Sequence, residues 1–392
     1  MFRTRTAIAA SIAVAASSTL VAGAAFGAPE PPIRIPVATE GFESVHSFGG
    51  LAASGTPVTM DAVRPGEVWL AMQTPTGHLI MTRARGPQAD IDLRRPLGFS
   101  IDSDDEVVLD GSGHEAWLSA AGTLWRLESR TGRWRQVSLG VSAGSAPTVT
   151  TVVDAAGPGA YAGLRQFDER TGRYRSWVAW TDGRKWRALT GEPGGASRDP
   201  SAPIIPGRDP APYVNRIRVA DGSVVAEWRT EGVTTSDTVY VHRRGAWREL
   251  YPGGFTSPHG NIHVNAWLVS GRRHLQLGEI YSGSERERAH HIEGFVNTWT
   301  PKSGSARGTV SGLVGAAAQR TDGQIVLGTN AYKGEVTSFV SGFFLRAPDG
   351  GETPLTGDAG HEVIGMSVEP ISDVTWALTR NGETVQLQRY AP

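Results

Sequence analysis

The sequence predicts an all-β chain, a β-propeller, and three observations predict it. From about residue 42 onward, short β-branched or aromatic runs alternate with Gly-centred turns. One strand–turn–strand unit recurs at a blade-sized period, roughly 50 residues. No stretch has sustained 3.6-residue apolar spacing with helix caps.

The unit is clearest at residues 113–139. Glu115 to Ser119 reads as a strand, Ala121-Gly122 as a turn and Thr123 to Glu128 as a second strand. A turn at Ser129 to Arg133 then leads into Trp134 to Leu139. The same grammar returns around Glu67-Val-Trp-Leu-Ala, Gly159 to Leu164, Ser223 to Trp228, Gln324 to Gly328 and Val374 to Leu378. The first strand recognised in each unit supplies seven markers: Trp69, Trp117, Tyr161, Val225, Trp267, Ile325 and Trp376. Seven markers predict seven blades, with six or eight also compatible. A three- or four-stranded blade cannot cover both of its own faces, so radial stacking must do so. Phe42 to Leu51 precedes the first marker and Gln386 to Tyr390 ends the chain, so one is expected to complete the other's blade. The 12 Trp recur at equivalent positions and read mainly as packing between blades, filling the wider gaps toward the rim. Trp180 and Trp299 fit the repeat least and are the candidates for ligand stacking.

The pattern W-R-x-apolar after a Gly turn, at Trp134, Trp186 and Trp247, resembles the last strand of kelch-type and sialidase-type blades. Thr181-Asp-Gly-Arg-Lys-Trp is similar to the sialidase Asp-box, one residue short. The resemblance implies the propeller architecture across roughly residues 42–390 and carries no catalytic residue with it.

At the front, residues 1–28 read as a signal peptide: Arg3 and Arg5, then the apolar Ala7 to Val21, then small residues with cleavage near 25–28. The expected location is therefore outside the cell, by the Sec route. Residues 29–41 form a Pro-rich tether, and 42–392 a single propeller domain. Two insertions interrupt it: the Pro/Gly-rich 191–212 and the charged 282–294. Long loops on one propeller face are where ligand contacts usually sit, which makes His290 and His291 ligand-binding candidates.

The 392 residues contain no Cys, which excludes disulfides, thiolate nucleophiles and Cys-ligated metals. A formal net charge of −1 offers no basic excess for nucleic acid, and no later segment is apolar for long enough to span a membrane. A monomer is expected. Asp102, Asp104 and Asp105 form the densest carboxylate group, the one candidate for Ca²⁺, although the spacing of a calcium loop is missing; no other cofactor is expected. His259, His263 and His274 lie about one strand, where residues four apart stand about 13 Å from each other, too far for one ion. Carboxylates suited to hydrolysis (Asp61, Glu67, Asp110, Glu227, Glu279 and Glu293) sit in no catalytic motif. The expectation is thus a secreted binding module presenting the loops of one face to a protein, glycan or small ligand. A glycan hydrolase or lyase with an axial site is the alternative, and an envelope scaffold the third reading.

Overall fold

A computed structural model describes residues 41–392 except 49–55, 87–89, 103–105, 114, 129–130, 140–146, 170–172, 183, 190–211, 221, 231–235, 251–259, 271–272, 283–290, 301–303, 334–337 and 383. The fold is the all-β, seven-bladed propeller that the sequence predicts. A first strand, β1 (Glu43–Phe48), precedes blade 1, which is β2 (Thr56–Arg64), β3 (Glu67–Gln73), β4 (His78–Arg85) and β5 (Asp90–Ser100). Blade 2 is β6 (Val108–Gly111), β7 (Ala116–Ala120), β8 (Thr123–Glu128) and β9 (Arg133–Gln136). Blade 3 follows with β10 (Thr148–Ala156), β11 (Gly159–Asp168), β12 (Arg173–Thr181) and β13 (Trp186–Ala188). Blade 4 is β14 (Tyr213–Ala220), β15 (Ser223–Thr230), β16 (Ser236–Arg243) and β17 (Ala246–Glu249). Blade 5 is β18 (Gly260–Ser270), β19 (Arg273–Ser282), β20 (His291–Thr300) and β21 (Gly304–Val310). Blade 6 comprises β22 (Leu313–Gln319), β23 (Ile325–Asn330), β26 (Gly342–Arg346) and β27 (Glu352–Leu355), with a small ribbon of β24 (Tyr332–Lys333) and β25 (Ser338–Phe339) between its middle strands. Blade 7 is β28 (Glu362–Val368), β29 (Thr375–Asn381) and β30 (Thr384–Tyr390), completed at its outer edge by β1.

The ring closes as the two flanking segments suggest. β1 pairs antiparallel with β30, from Glu43↔Arg389 to Phe48↔Val385. Just before it, Phe42 stacks on Phe343 of blade 6 at 4.0 Å and leans on Tyr390 of blade 7 at 5.6 Å. Apolar clusters fill the seams: Trp376 and Leu378 meet Met60 and Leu70 between blades 7 and 1, and Leu275 and Leu277 meet Val314 and Leu327 between blades 5 and 6. Each fully buried side chain of this size contributes about 1.5–3 kcal/mol, so seven such seams hold the ring without covalent staples.

Two sequence expectations need correction. Six markers lie on the second strand of their blade, but Trp267 lies on the innermost strand, β18. Register identifies its true counterpart as Leu275. The tryptophans of the second strands also stand beside the inner strands, not toward the rim. Trp69, Trp117 and Trp376 are fully buried, and an arginine of the third strand (Arg83, Arg126, Arg389) lies over each ring at 5.8, 5.4 and 5.9 Å. Within the charged segment 282–294, Ser282 and His291 pair across the ends of β19 and β20.

Candidate functional site: the axial cavity

Six of the seven inner strands slip register at the same place, at 57/59, 150/152, 214/216, 264/266, 314/316 and 363/365. A bulge inserts one residue, increases the local twist and re-aims the side chains that follow. Here the inserted Asn215, Asn265, Gly315 and Ile364 line a cavity of about 260 Å³ on the axis, together with Met60, Asp61, Glu106, Asp110, Arg216, Arg218 and Met366. Shortly after each bulge, and at the matching register of the unbulged β6, comes a ladder position marked by its partner on the second strand. Asp61 faces Trp69, Asp110 faces Trp117, Asp154 faces Tyr161 and Arg218 faces Val225. Leu268 faces Leu275, Ala318 faces Val326 and Ser367 faces Trp376.

Five of these seven residues reach the next blade. Asp61 Oδ2 accepts from Gly111 N at 2.5 Å, Asp110 Oδ2 from Ala155 N at 2.6 Å and Asp154 Oδ2 from Val219 N at 2.8 Å. Arg218 Nε donates to Trp267 O at 3.2 Å, and Ser367 Oγ accepts from Ala62 N at 3.0 Å. Ser367 also donates to Asp61 Oδ1, so the arc runs without interruption from blade 7 to blade 5. Gly111 is required here: a Cβ at this position would stand 2.8 Å from Val63 Cα and 3.1 Å from Asp61 Oδ2, blocking the approach.

One cation serves three carboxylates. Arg218 Nη1 donates to Asp154 Oδ1 at 2.8 Å and lies 3.6 Å from Asp110 Oδ1. Burial, reinforced by the Asp110 charge, pushes Asp61 up to about 7 and Asp154 up to about 8. Burial raises Asp110 as well, against the pull of Arg218. For Arg218 itself burial disfavours the charge, but Asp154 and Asp110 outweigh it and keep the guanidinium protonated. At the opposite end of the cavity, Glu106 is raised by burial, opposed by the charge of Arg216. Arg216 Nη2 donates to Val264 O at 2.6 Å, while Nη1 stands 3.8 Å from the buried Glu227, which Asn215 Nδ2 binds at 2.7 Å.

Of the residues singled out from sequence, Asp61 and Asp110 meet on the cavity floor and Glu227 stands behind Arg216. Asp154 and Arg218 complete the arc and were not singled out. Trp180 is partly buried, with Arg187 over its ring at 5.4 Å. Trp299 packs partly buried against the Val225–Trp267 cluster and lies 5.4 Å from His274, whose burial lowers its pKa to about 4 and keeps it neutral. His290, Asp104 and Asp105 lie outside the described residues, as does the side chain of His291; Asp102 is exposed. Among the described residues, no group of three His, Asp or Glu is placed to hold a metal. In the turn similar to the Asp-box, Asp182 Oδ1 accepts from Arg184 N and Lys185 N at 2.9 and 3.1 Å, which makes it a turn-forming residue.

No protein-family model and no curated protein matches the sequence. Solved structures do resemble it. A puromycin hydrolase aligns with a TM-score of 0.50 and 12% identity over 84% of this chain and 51% of its own. The extracellular domain of a one component system from B. thetaiotaomicron gives 0.49 and 12% over 89% of this chain and 40% of its own. The β-propeller domain of the Trilobed protease from Pyrococcus furiosus gives 0.45 and 9% over 86% and 95%. This chain thus spans about half or less of the first two. At such identities the likeness concerns the propeller fold alone.

Proposed function

We propose that this chain is an exported binding module whose ligand enters the axial cavity from the face where the inner strands begin. One observation carries the reading: Asp61 and Asp110 on the cavity floor, and Asp154 behind them, each already accept a backbone N–H from the neighbouring blade. Such groups fix the scaffold, and the Glu106–Arg216 end is left to recognise a ligand by hydrogen bonds. The same face carries two exposed rings at the ends of β11 and β12, Phe167 and Tyr174, 5.1 Å apart edge to face. Trp180, Trp299, His290 and His291 stay with this proposal as further ligand contacts. Export rests on the three-part pattern of residues 1–28.

The alternative, a glycan hydrolase, has an observation of its own. Asp61 keeps its proton near neutral pH beside Asp110, the arrangement of an acid and its partner carboxylate. A glycan array run with a hydrolysis screen separates the two. Binding without turnover, retained in Asp61→Asn and weakened in Arg216→Ala, is the expected result. Turnover abolished by both Asp61→Asn and Asp110→Asn, with folding intact, would replace the binding reading with the enzyme.

A further inference from the structure

We propose that the axial arc is a proton-linked joint, in which three aspartates share one arginine and the seams of blades 1 to 4 tighten when the arc binds a proton. The geometry leaves it short of positive charge. Asp61, Asp110 and Asp154 come from β2, β6 and β10, and Arg218 from β14 is the cation among them. Among the described residues, the neighbouring inner strands bring no compensating charge to the arc: β28 contributes the hydroxyl of Ser367, and β18 the carbonyl of Trp267.

Other ionic groups packed nearby are engaged elsewhere. Arg216 is held by Val264 O and Glu227, and its charge acts on Glu106 at the far end of the cavity. On the second and third strands behind the arc, Glu67 pairs with Arg64 and Arg85, and Glu115 with Arg126. With all three aspartates ionised, the arc would carry two uncompensated negative charges among closely packed strands. A bound proton removes one of them and leaves the backbone N–H acceptors in place.

The direction of the linkage follows. In the unfolded chain these carboxyls titrate near 3.8, whereas in the fold Asp61 and Asp154 titrate at about 7 and about 8. Between those limits the folded state holds protons that the unfolded state has released. Stability is therefore greatest at the acid end of this window and falls as pH rises through it, by up to tenfold in the folding constant per pH unit for each proton held.

The test is urea unfolding of the whole chain from pH 5 to pH 9, for the natural protein and for Asp61→Asn. The amide keeps the shape, accepts from Gly111 N and donates to Ser367 Oγ, but cannot release a proton. The natural protein should lose stability steadily with rising pH, and the variant should show a shallower slope, being the more stable of the two at pH 9. Glu362→Gln, which removes a surface acid paired with Arg380, should leave the slope unchanged. Equal slopes for the natural protein and Asp61→Asn, or a flat profile for both, would overturn the proposal. Should Asp61→Asn not fold, infrared spectroscopy of the natural protein decides instead: a protonated-carboxyl carbonyl band present at pH 6 and absent at pH 9 is expected, and no such band at pH 6 would overturn it.

Discussion

Around the axis, one ladder position is filled in two ways. From blade 7 through blade 4 it carries Ser367, Asp61, Asp110, Asp154 and Arg218, each bonded to the backbone of the next blade. In blades 5 and 6 the same position carries Leu268 and Ala318, whose side chains have no polar atom to offer. Those seams use other means. Asn265, the bulge residue of β18, donates to Val314 O at 2.8 Å, and Asn330 Oδ1 accepts from Val363 N at 2.8 Å. The apolar clusters of these seams, built on Leu275, Val314, Val326 and Val363, supply the rest. The fold thus requires a contact at every inner seam but prescribes no chemistry for it. Where ionisable groups provide the contact, the seam acquires a dependence on pH that amides and leucines do not confer.

The sharpest way to break this contrast is Arg218→Met. It removes the cation on which Asp110 and Asp154 depend and leaves buried carboxylates without a partner, which costs about 3–5 kcal/mol where burial is complete. The Arg218 side chain keeps 38% of its surface exposed, so screening reduces the expectation to about 2–3 kcal/mol at pH 8. The loss should shrink at pH 5, where protonated aspartates need the cation less. Urea unfolding at the two pH values checks this; an equal loss at both would mean that Arg218 acts through packing alone.

How much of this was legible beforehand differs between the strands. The second strands announced themselves, because Glu67-Val-Trp, Glu115-Ala-Trp and Val374-Thr-Trp are dense apolar runs buried on both faces. The inner strands did not. Sequences such as TPVTMDAVR and YVNRIRVA place polar groups toward the axial cavity, so apolar alternation, the usual sign of a strand, is weakest there. That is why Trp267, the one tryptophan on the described inner strands, reads as a second-strand marker. Asp61 and Asp110 were visible only as loose carboxylates. Asp154 and Arg218 stand in no motif that marks them. A signal did exist: Val214-Asn, Val264-Asn and Val314-Gly repeat at even spacing and mark the bulge, from which the arc position can be counted.

A smaller effect should follow from Asn330→Ala in the apolar half. Val363 N would lose its acceptor, costing about 1–2 kcal/mol, and the loss should be the same at pH 5 and pH 8 because no titrating group is involved. A loss that grew with pH would show the two halves to be coupled.

The smallest effect expected is the most instructive. Leu268→Asn places an amide at the ladder position where the clasped half has Arg218 or an aspartate. If the positions are equivalent, the new side chain can bond the backbone of blade 6, regaining about 1 kcal/mol. Against this stands the transfer energy of a leucine that is only partly buried, about 1–2 kcal/mol. The two nearly cancel, so unfolding should shift by less than about 1 kcal/mol and the pH profile should keep its shape. Leu268→Asp should instead steepen that profile by adding a carboxyl with no arginine of its own. If Leu268→Asn cost several times more, the apolar half would be a region that excludes polar contacts, and the contrast between the halves would reflect packing rather than interchangeable ways of holding a seam.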